Sequence, residues 1–364
     1  MMHAEMEKGG RFMPIYTHGG DIRTAQSQYR GAVLDFSANL NPLGMPEAVR
    51  RAAEYAVAEA IHYPDPFCRR LTGAIARHDG AAEGQVLCGN GAADLIFRLA
   101  AALNPRQALL CAPTFSEYEA ALCRYGCEIA YHLLLEENGF DLTETILERI
   151  NPGLALVFLC TPNNPTGRLI PPELLKQVAE RCAAVGARLV VDECFLPLSD
   201  GAGPGLAPYL AAYPNLLLLR AFTKSYAVPG LRLGYALSAD EALLERLADY
   251  GQPWSVSTPA QAAGTAALEE CPYWPERART LLQTERPRLA EGLRDLGLAV
   301  TEGQANYLLF RAAGASDLKE RLLSRGILIR ACANYPGLGP DYYRVCVRTG
   351  QENQRLLAAL KEVL

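Results

Sequence analysis

Between residues 86 and 237 the chain carries seven short apolar runs, at 86–88, 108–111, 129–134, 154–160, 188–191, 216–219 and 233–237. Runs this short and this uniformly apolar suit strands buried on both faces. Most are separated by helical patterns, such as GAADLIFRLAAAL at 91–103, EYEAALCRYG at 117–126 and PELLKQVAERCAAVG at 172–186. Strand and helix in alternation predict an α/β fold built on a mostly parallel seven-stranded sheet. Right-handed crossovers then bring the C-terminal ends of the strands to one edge, so functional residues are expected in the loops that follow strands.

The flanks read differently. Residues 1–45 look irregular and form an N-terminal arm. Pro46 opens a helix, which suits proline in a first turn. Beyond 240 helical patterns dominate to about 297, one running through Pro287, and short strands then mix with helices to the end. The expected division is an arm at 1–45 serving the substrate site, a large α/β domain at 46–250 and a small α+β domain at 251–364. With 364 residues, 50% hydrophobic and 21% charged, the chain has ample material for two cores and is not a disordered one.

Composition also excludes function classes. A net charge of −5 leaves no electrostatic footprint for nucleic acid. No apolar run approaches the roughly 18 residues that span a bilayer. The opening MMHAEMEKGGRFMP lacks the apolar stretch of a signal peptide, so a cytoplasmic location is expected. Eleven cysteines are scattered without a C-x-x-C. Cys123 and Cys127 fall at i, i+4 in a predicted helix, but no second ligand pair accompanies them. Reduced core thiols are expected, and no metal.

Four loops carry chemistry. CGNGAAD at 88–94 follows a strand and opens a helix, where glycines let backbone N–H groups approach an anion. TPNNPTG at 161–167 makes a stiff polar turn from which Asn164 can reach a cleft. Asp192 ends the strand RLVVD, and a carboxylate there is costly unless paired. In LLLLRAFTKSYAVPGLRLGYAL at 216–237, Lys224 follows a buried strand, with Thr223 beside it and Arg232 eight residues on. Burial among apolar neighbours favours a neutral, nucleophilic amine. Hydroxyl and guanidinium suit a phosphate. An amine beside an anion site is what pyridoxal phosphate requires. Taken singly, each feature has an ordinary explanation as a turn, a cap or a surface lysine. Their order does not, because all sit after successive strands of one sheet.

The set NPTG, Asp192 and T-K-x7-R, spread over nearly the whole chain, resembles the fold type I pyridoxal-phosphate (PLP) family of aspartate and histidinol-phosphate aminotransferases. That resemblance implies Lys224 as the Schiff-base lysine and proton shuttle, Asp192 on the pyridine nitrogen and Asn164 on the ring hydroxyl. It implies backbone at Gly91 and Ala92, with Thr223 and Arg232, around the cofactor phosphate, and Phe115 stacked on the ring. Tyr63, in HYPDP, matches a tyrosine that reaches the neighbouring subunit's cofactor phosphate, which implies a homodimer. Two positions depart from the pattern: Ala221 stands where a phosphate-binding hydroxyl is frequent, and Phe195 where many aminotransferases carry tyrosine.

PLP chemistry branches on which bond at Cα stands perpendicular to the ring, which depends on how the substrate's anions are held. Arg330, Arg344 and Arg348 exceed what one carboxylate needs and suit a substrate with a carboxylate and a phosphate. Alternation puts Arg344 and Arg348 on one strand face, and His18 and Asn39 in the arm complete the set. HGGDIR, DFSANLNPLGMP, ILIRACANYPGL and YYRVCVR resemble the threonine-phosphate decarboxylase branch of cobalamin biosynthesis more than the histidinol-phosphate aminotransferases. That likeness implies release of CO2 from threonine phosphate, with serine phosphate a possible second substrate. It places Arg344 on the carboxylate and Arg330, Arg348 and His18 on the phosphate, with their division of labour left open. A histidinol-phosphate or related aminotransferase is the alternative.

Overall fold

A computed structural model describes residues 18–364; the opening 14 residues considered above lie outside the described part. All seven expected strands form one sheet. In chain order they are β1 (Val86–Gly89), β2 (Gln107–Ala112), β3 (Glu128–Leu133), β4 (Leu156–Cys160), β5 (Arg188–Asp192), β6 (Leu216–Ala221) and β7 (Gly234–Leu237). Their spatial order is β1-β7-β6-β5-β4-β2-β3. The sheet is parallel except for β7, which runs antiparallel to both β6 and β1. That reversal matters, because it brings the start of β7, just past Arg232, to the same edge as the ends of the parallel strands.

Alternation along the strands feeds two cores. Leu189, Val191, Leu216 and Leu218 enter one, whereas Val190, Leu217, Leu219 and Phe158 enter the other, on the opposite face. Both faces are covered, which is why these strands read as continuous apolar runs. Gly234 is forced by close approach: a Cβ there would lie 2.6 Å from the Ala92 nitrogen.

A third core lies under a four-stranded sheet. Tyr307–Arg311 and Tyr342–Cys346 pair antiparallel at its centre, and helices Trp274–Asp295 and Gly350–Val363 pack over Leu308, Phe310 and Val345. The first of these helices runs through Pro287 as expected. Helix Thr258–Glu269 packs instead on helices Glu47–Ala56 and Arg69–Asp79.

Three expectations are corrected. The arm is not irregular throughout: it holds helix Ile22–Gln28 and strand Leu34–Asp35, which pairs in parallel with Ile327–Leu328. A two-residue strand leaves too little alternation to be seen in sequence. Helix Ser116–Cys123 ends at Cys123, and Cys127 follows the turn at Gly126, so the two cysteines do not share a helix face. Arg348 lies past the end of strand Tyr342–Cys346, so alternation does not carry to it. All eleven cysteines are free, and all but Cys123 are buried. No helix among the described residues is long and apolar enough to cross a membrane.

Leu218 is fully buried at the centre of β6. Leu218→Ala is expected to cost about 2–5 kcal/mol through lost burial and the cavity left behind, read as a lower urea midpoint with an unchanged slope.

Candidate active site

The C-terminal edge of the sheet opens into a cavity of about 800 Å³. Of the residues singled out in the sequence, it gathers His18, Asn39, Gly91, Ala92, Phe115, Asn164, Asp192, Thr223, Lys224, Arg232, Arg330 and Arg344. Two stand elsewhere. Tyr63 is 79% exposed and stacks on Trp254, with ring centroids 4.5 Å apart. Arg348 is engaged by the Glu352 carboxylate and donates to the Asp35 carbonyl at 3.2 Å. Its position four residues before Glu352 on the following helical turn explains the pairing, and corrects the expectation that it joins Arg344 at the site.

Lys224 sits in the short helix Phe222–Ser225 that caps β6. Its amine is pushed down to about 8, first by burial and then by the Arg344 guanidinium. The turn is pinned from the arm: Asn41 N–H donates to the Lys224 carbonyl at 3.0 Å, and its amide donates to the Ser225 carbonyl at 2.7 Å. The Nζ lies 5.8 Å from the centroid of the Phe195 ring, which lines the same wall.

Asp192 ends β5 and is 5% exposed. The Tyr118 hydroxyl donates to its Oδ2 at 2.7 Å and the Cys194 N–H to its Oδ1 at 2.9 Å. Burial and the facing carboxylate hold the Tyr118 hydroxyl well above its ordinary value, so it remains a donor. Tyr118 in turn stacks on Phe158 at 4.7 Å and meets Phe115 edge-on at 5.5 Å.

The adjacent asparagines divide the work of their turn. Asn163 is structural: its amide donates to Pro113 O and Thr166 Oγ1, and its Oδ1 accepts from Thr114. Asn164 faces the cavity, where its Oδ1 accepts from Arg344 and, at 3.4 Å, from Tyr335.

Cationic groups are distributed unevenly. Arg330 and Arg344 are 7% and 6% exposed, and neither meets a carboxylate among the described residues. Arg330 donates to the Ala331 carbonyl at 2.6 Å and to Asn334 Oδ1 at 2.7 Å, with its guanidinium 5.3 Å from the Tyr335 centroid. Arg344 donates to Asn164 and, at 3.0 Å, to the Ser37 carbonyl. Buried charge without a counter-charge is expensive unless a ligand supplies it. Helix Ala92–Leu103 begins at the cavity with no side-chain cap on its N-terminus, and Gly91 before it has φ +82°. A Cβ at Gly91 would stand 2.8 Å from the Arg232 guanidinium. Such an N-terminus attracts anions. His18 lies 2.7 Å from Glu117, and both amide atoms of Asn39 are buried without a hydrogen-bond partner among the described residues.

Across residues 32–360 the chain matches the model of aminotransferase class I and II. The chain belongs to that family. It is 44% identical over 352 residues to a threonine-phosphate decarboxylase of Salmonella typhimurium, covering 95% of this chain and 96% of the relative. A histidinol-phosphate aminotransferase of Nitratidesulfovibrio vulgaris is 38% identical over 343 residues, covering 91% and 89%. Among solved structures, the histidinol-phosphate aminotransferase of Clostridium acetobutylicum superposes with a TM-score of 0.84 at 27% identity, covering 91% of this chain and 99% of that one. In this aminotransferase fold the site-bearing loops follow the mostly parallel sheet expected from the sequence.

Several residues of the site carry no evident sequence signal. Tyr118 lies three positions after Phe115 in a short helix, and only that spacing hints at a shared face. Asn41 and Tyr335 act through backbone and ring contacts that need the tertiary fold.

Because the Arg344 charge holds the Lys224 amine down, Arg344→Gln is expected to raise it. In cofactor-free protein the half-point for acylating Lys224 should lie near pH 8 and move upward in the variant. Between about 8 and the ordinary lysine value of 10.5 the unfolded chain binds more protons at this site, so stability from Lys224 rises with pH through that window.

Proposed function

We propose that this enzyme is a PLP-dependent carboxy-lyase that converts L-threonine O-3-phosphate to (R)-1-amino-2-propanol O-2-phosphate and CO2, in cobalamin nucleotide-loop assembly. The observation that carries the reading is the pair of buried guanidiniums, Arg330 and Arg344, which share a cavity with Lys224 and meet no carboxylate among the described residues. The relative named a threonine-phosphate decarboxylase, at 44% identity, supports it. The residues present fit the cofactor: an amine of lowered basicity, a carboxylate at a strand end, an uncapped helix N-terminus with a guanidinium over it, and a buried asparagine amide awaiting a partner.

When bound, PLP supplies an aldehyde that condenses with an amine and a ring that accepts the electrons released at the substrate's Cα. Lys224 would offer its neutral amine to that aldehyde and would be placed to return a proton to the substrate's Cα. Asp192, held by Tyr118 and Cys194, would pair with the pyridine nitrogen, and Asn164 with the ring hydroxyl. Gly91, Ala92, Thr223 and Arg232 would hold the cofactor phosphate, and Phe115 would lie against the ring. Arg344 takes the substrate carboxylate, while Arg330 and His18 take the phosphate, with Asn39 lining the same end. Arg348 is committed to Glu352 and has no part in this assignment. Two anions gripped at opposite ends fix the rotation about Cα and so decide which bond breaks. A methyl in a pocket is worth about 1–3 kcal/mol, so serine phosphate reacts as well, more weakly.

The same proposal gives an arm at 1–45, a large domain from 46 and a small α+β domain at the C-terminal end, in a cytoplasmic homodimer; the boundary expected at 250 moves past helix Thr258–Glu269, whose Ala260 and Ala263 belong to the large domain's core. Tyr55, Val57, Ile61, Tyr63 and Phe67 are all more than 60% exposed along one stretch of chain, a surface of the kind that a second copy covers. In such a dimer Tyr63 would reach the other subunit's cofactor phosphate.

PLP-loaded protein given threonine phosphate and no oxo acid is expected to release CO2 stoichiometrically with amino-propanol phosphate. Lys224→Ala should abolish both the reaction and the visible absorbance of bound PLP. Amino transfer to 2-oxoglutarate from histidinol phosphate, without CO2, would establish the aminotransferase instead. Ile61→Glu with Phe67→Glu is expected to convert a dimer to a monomer in sedimentation; wild-type protein sedimenting as a monomer would refute the assembly.

A further inference from the structure

On the face of the sheet opposite Asp192, a buried ion cluster joins the ends of the two strands that lead to Asp192 and Lys224. Asp192 pairs with Leu219 across β5 and β6, and the next residue's N–H, at Glu193, donates to the Leu219 carbonyl at 2.9 Å. Alternation turns Glu193 and Arg220 away from the cavity, toward the core that holds Leu216 and Leu218. There Arg220 donates from Nε and Nη2 to Glu193 Oε2 at 2.9 and 2.6 Å. Its Nη1 donates to Asp79 Oδ1 at 2.6 Å, at the end of helix Arg69–Asp79, and Nη2 also reaches the Pro204 carbonyl at 2.7 Å. The other Glu193 oxygen accepts from Leu206 N–H at 2.9 Å, and a Cβ at Gly205 would collide with that carboxylate. Glu193 is 1% and Arg220 8% exposed.

A buried ion pair of this kind is seldom more stable than a well-packed apolar replacement, so stability does not account for it. Its geometry does something an apolar pair cannot: two donors converging on one Glu193 oxygen and a third on Asp79 tie the strand ends to each other and to helix Arg69–Asp79. One strand end bears Asp192 as its next-door residue, and the other bears Lys224 one helical turn on.

We propose that Arg220 is a positioning residue that, by clamping Glu193 and Asp79 behind the sheet, sets the separation of Asp192 and Lys224 in front of it. The inference deepens the PLP-dependent reading above and rests on it. Loss of the clamp lets the strand ends splay and water reach the Lys224 amine, whose basicity burial and then the Arg344 guanidinium hold down. A misplacement of this sort costs catalysis more than binding of substrate.

The test uses Arg220→Lys, which keeps the charge and loses the two-pronged geometry, and Glu193→Gln, which keeps the shape and loses the charge. In folded Arg220→Lys, kcat is expected to fall about tenfold or more with KM within about twofold. PLP should bind several-fold more weakly, and the half-point for acylating Lys224 in cofactor-free protein should rise. A folded variant with wild-type acylation half-point, PLP affinity and kcat would reduce the cluster to a structural pair and overturn the proposal. Should Arg220→Lys fail to fold, Glu193→Gln decides by the same three measurements. If wild-type protein releases no CO2, the functional reading fails by itself, and the acylation half-points still decide the clamp.

Discussion

Desolvation of one lysine is the constraint that the rest of the fold satisfies. A charged ammonium cannot act as a nucleophile, and water would keep it charged. Desolvating Lys224 just past the end of buried strand β6, with the Arg344 guanidinium nearby, holds its amine at about 8. That arrangement demands a rigid support. β6 lies inside the sheet between β5 and β7, and its turn is fastened by Asn41 from the arm. The buried strand is therefore both part of the domain's core and the support of an amine of lowered basicity.

Counter-charge follows the same logic. Most charged groups that leave the surface here find a partner, as Arg220 does in Glu193 and Asp79, and Arg98 in Asp94. Arg330 and Arg344 meet only neutral acceptors among the described residues. The contrast between satisfied and unsatisfied guanidiniums separates scaffold from recognition surface. Arg348 falls on the scaffold side because Glu352, one helical turn ahead, takes it first. Sequence alone does not distinguish Arg344 from Arg348, since both are arginines among apolar neighbours and only the fold reveals which has a carboxylate within reach.

Much of the architecture is legible in the chain because doubly buried strands leave long-wavelength traces. The seven apolar runs became seven strands, and the loops after them supplied most of the cavity's wall. What stayed hidden depends on short pieces and on contacts between distant segments. The two-residue strand Leu34–Asp35 carries no period to detect. Tyr118 looks like an ordinary core aromatic until Phe158 and Asp192 are placed against it. The antiparallel course of β7 is likewise invisible in its composition, yet it is what delivers Arg232 to the correct edge.

Parallel pairing of Leu34–Asp35 with Ile327–Leu328 couples two stretches nearly three hundred positions apart. Ser37 and Asn39 follow the first partner and Arg330 follows the second, so two stretches distant in the chain line one side of the cavity together. Asn41, a few residues on, fastens the same arm to the turn that carries Lys224. The arm therefore staples the C-terminal layer's wall of the cavity to the edge of the large sheet.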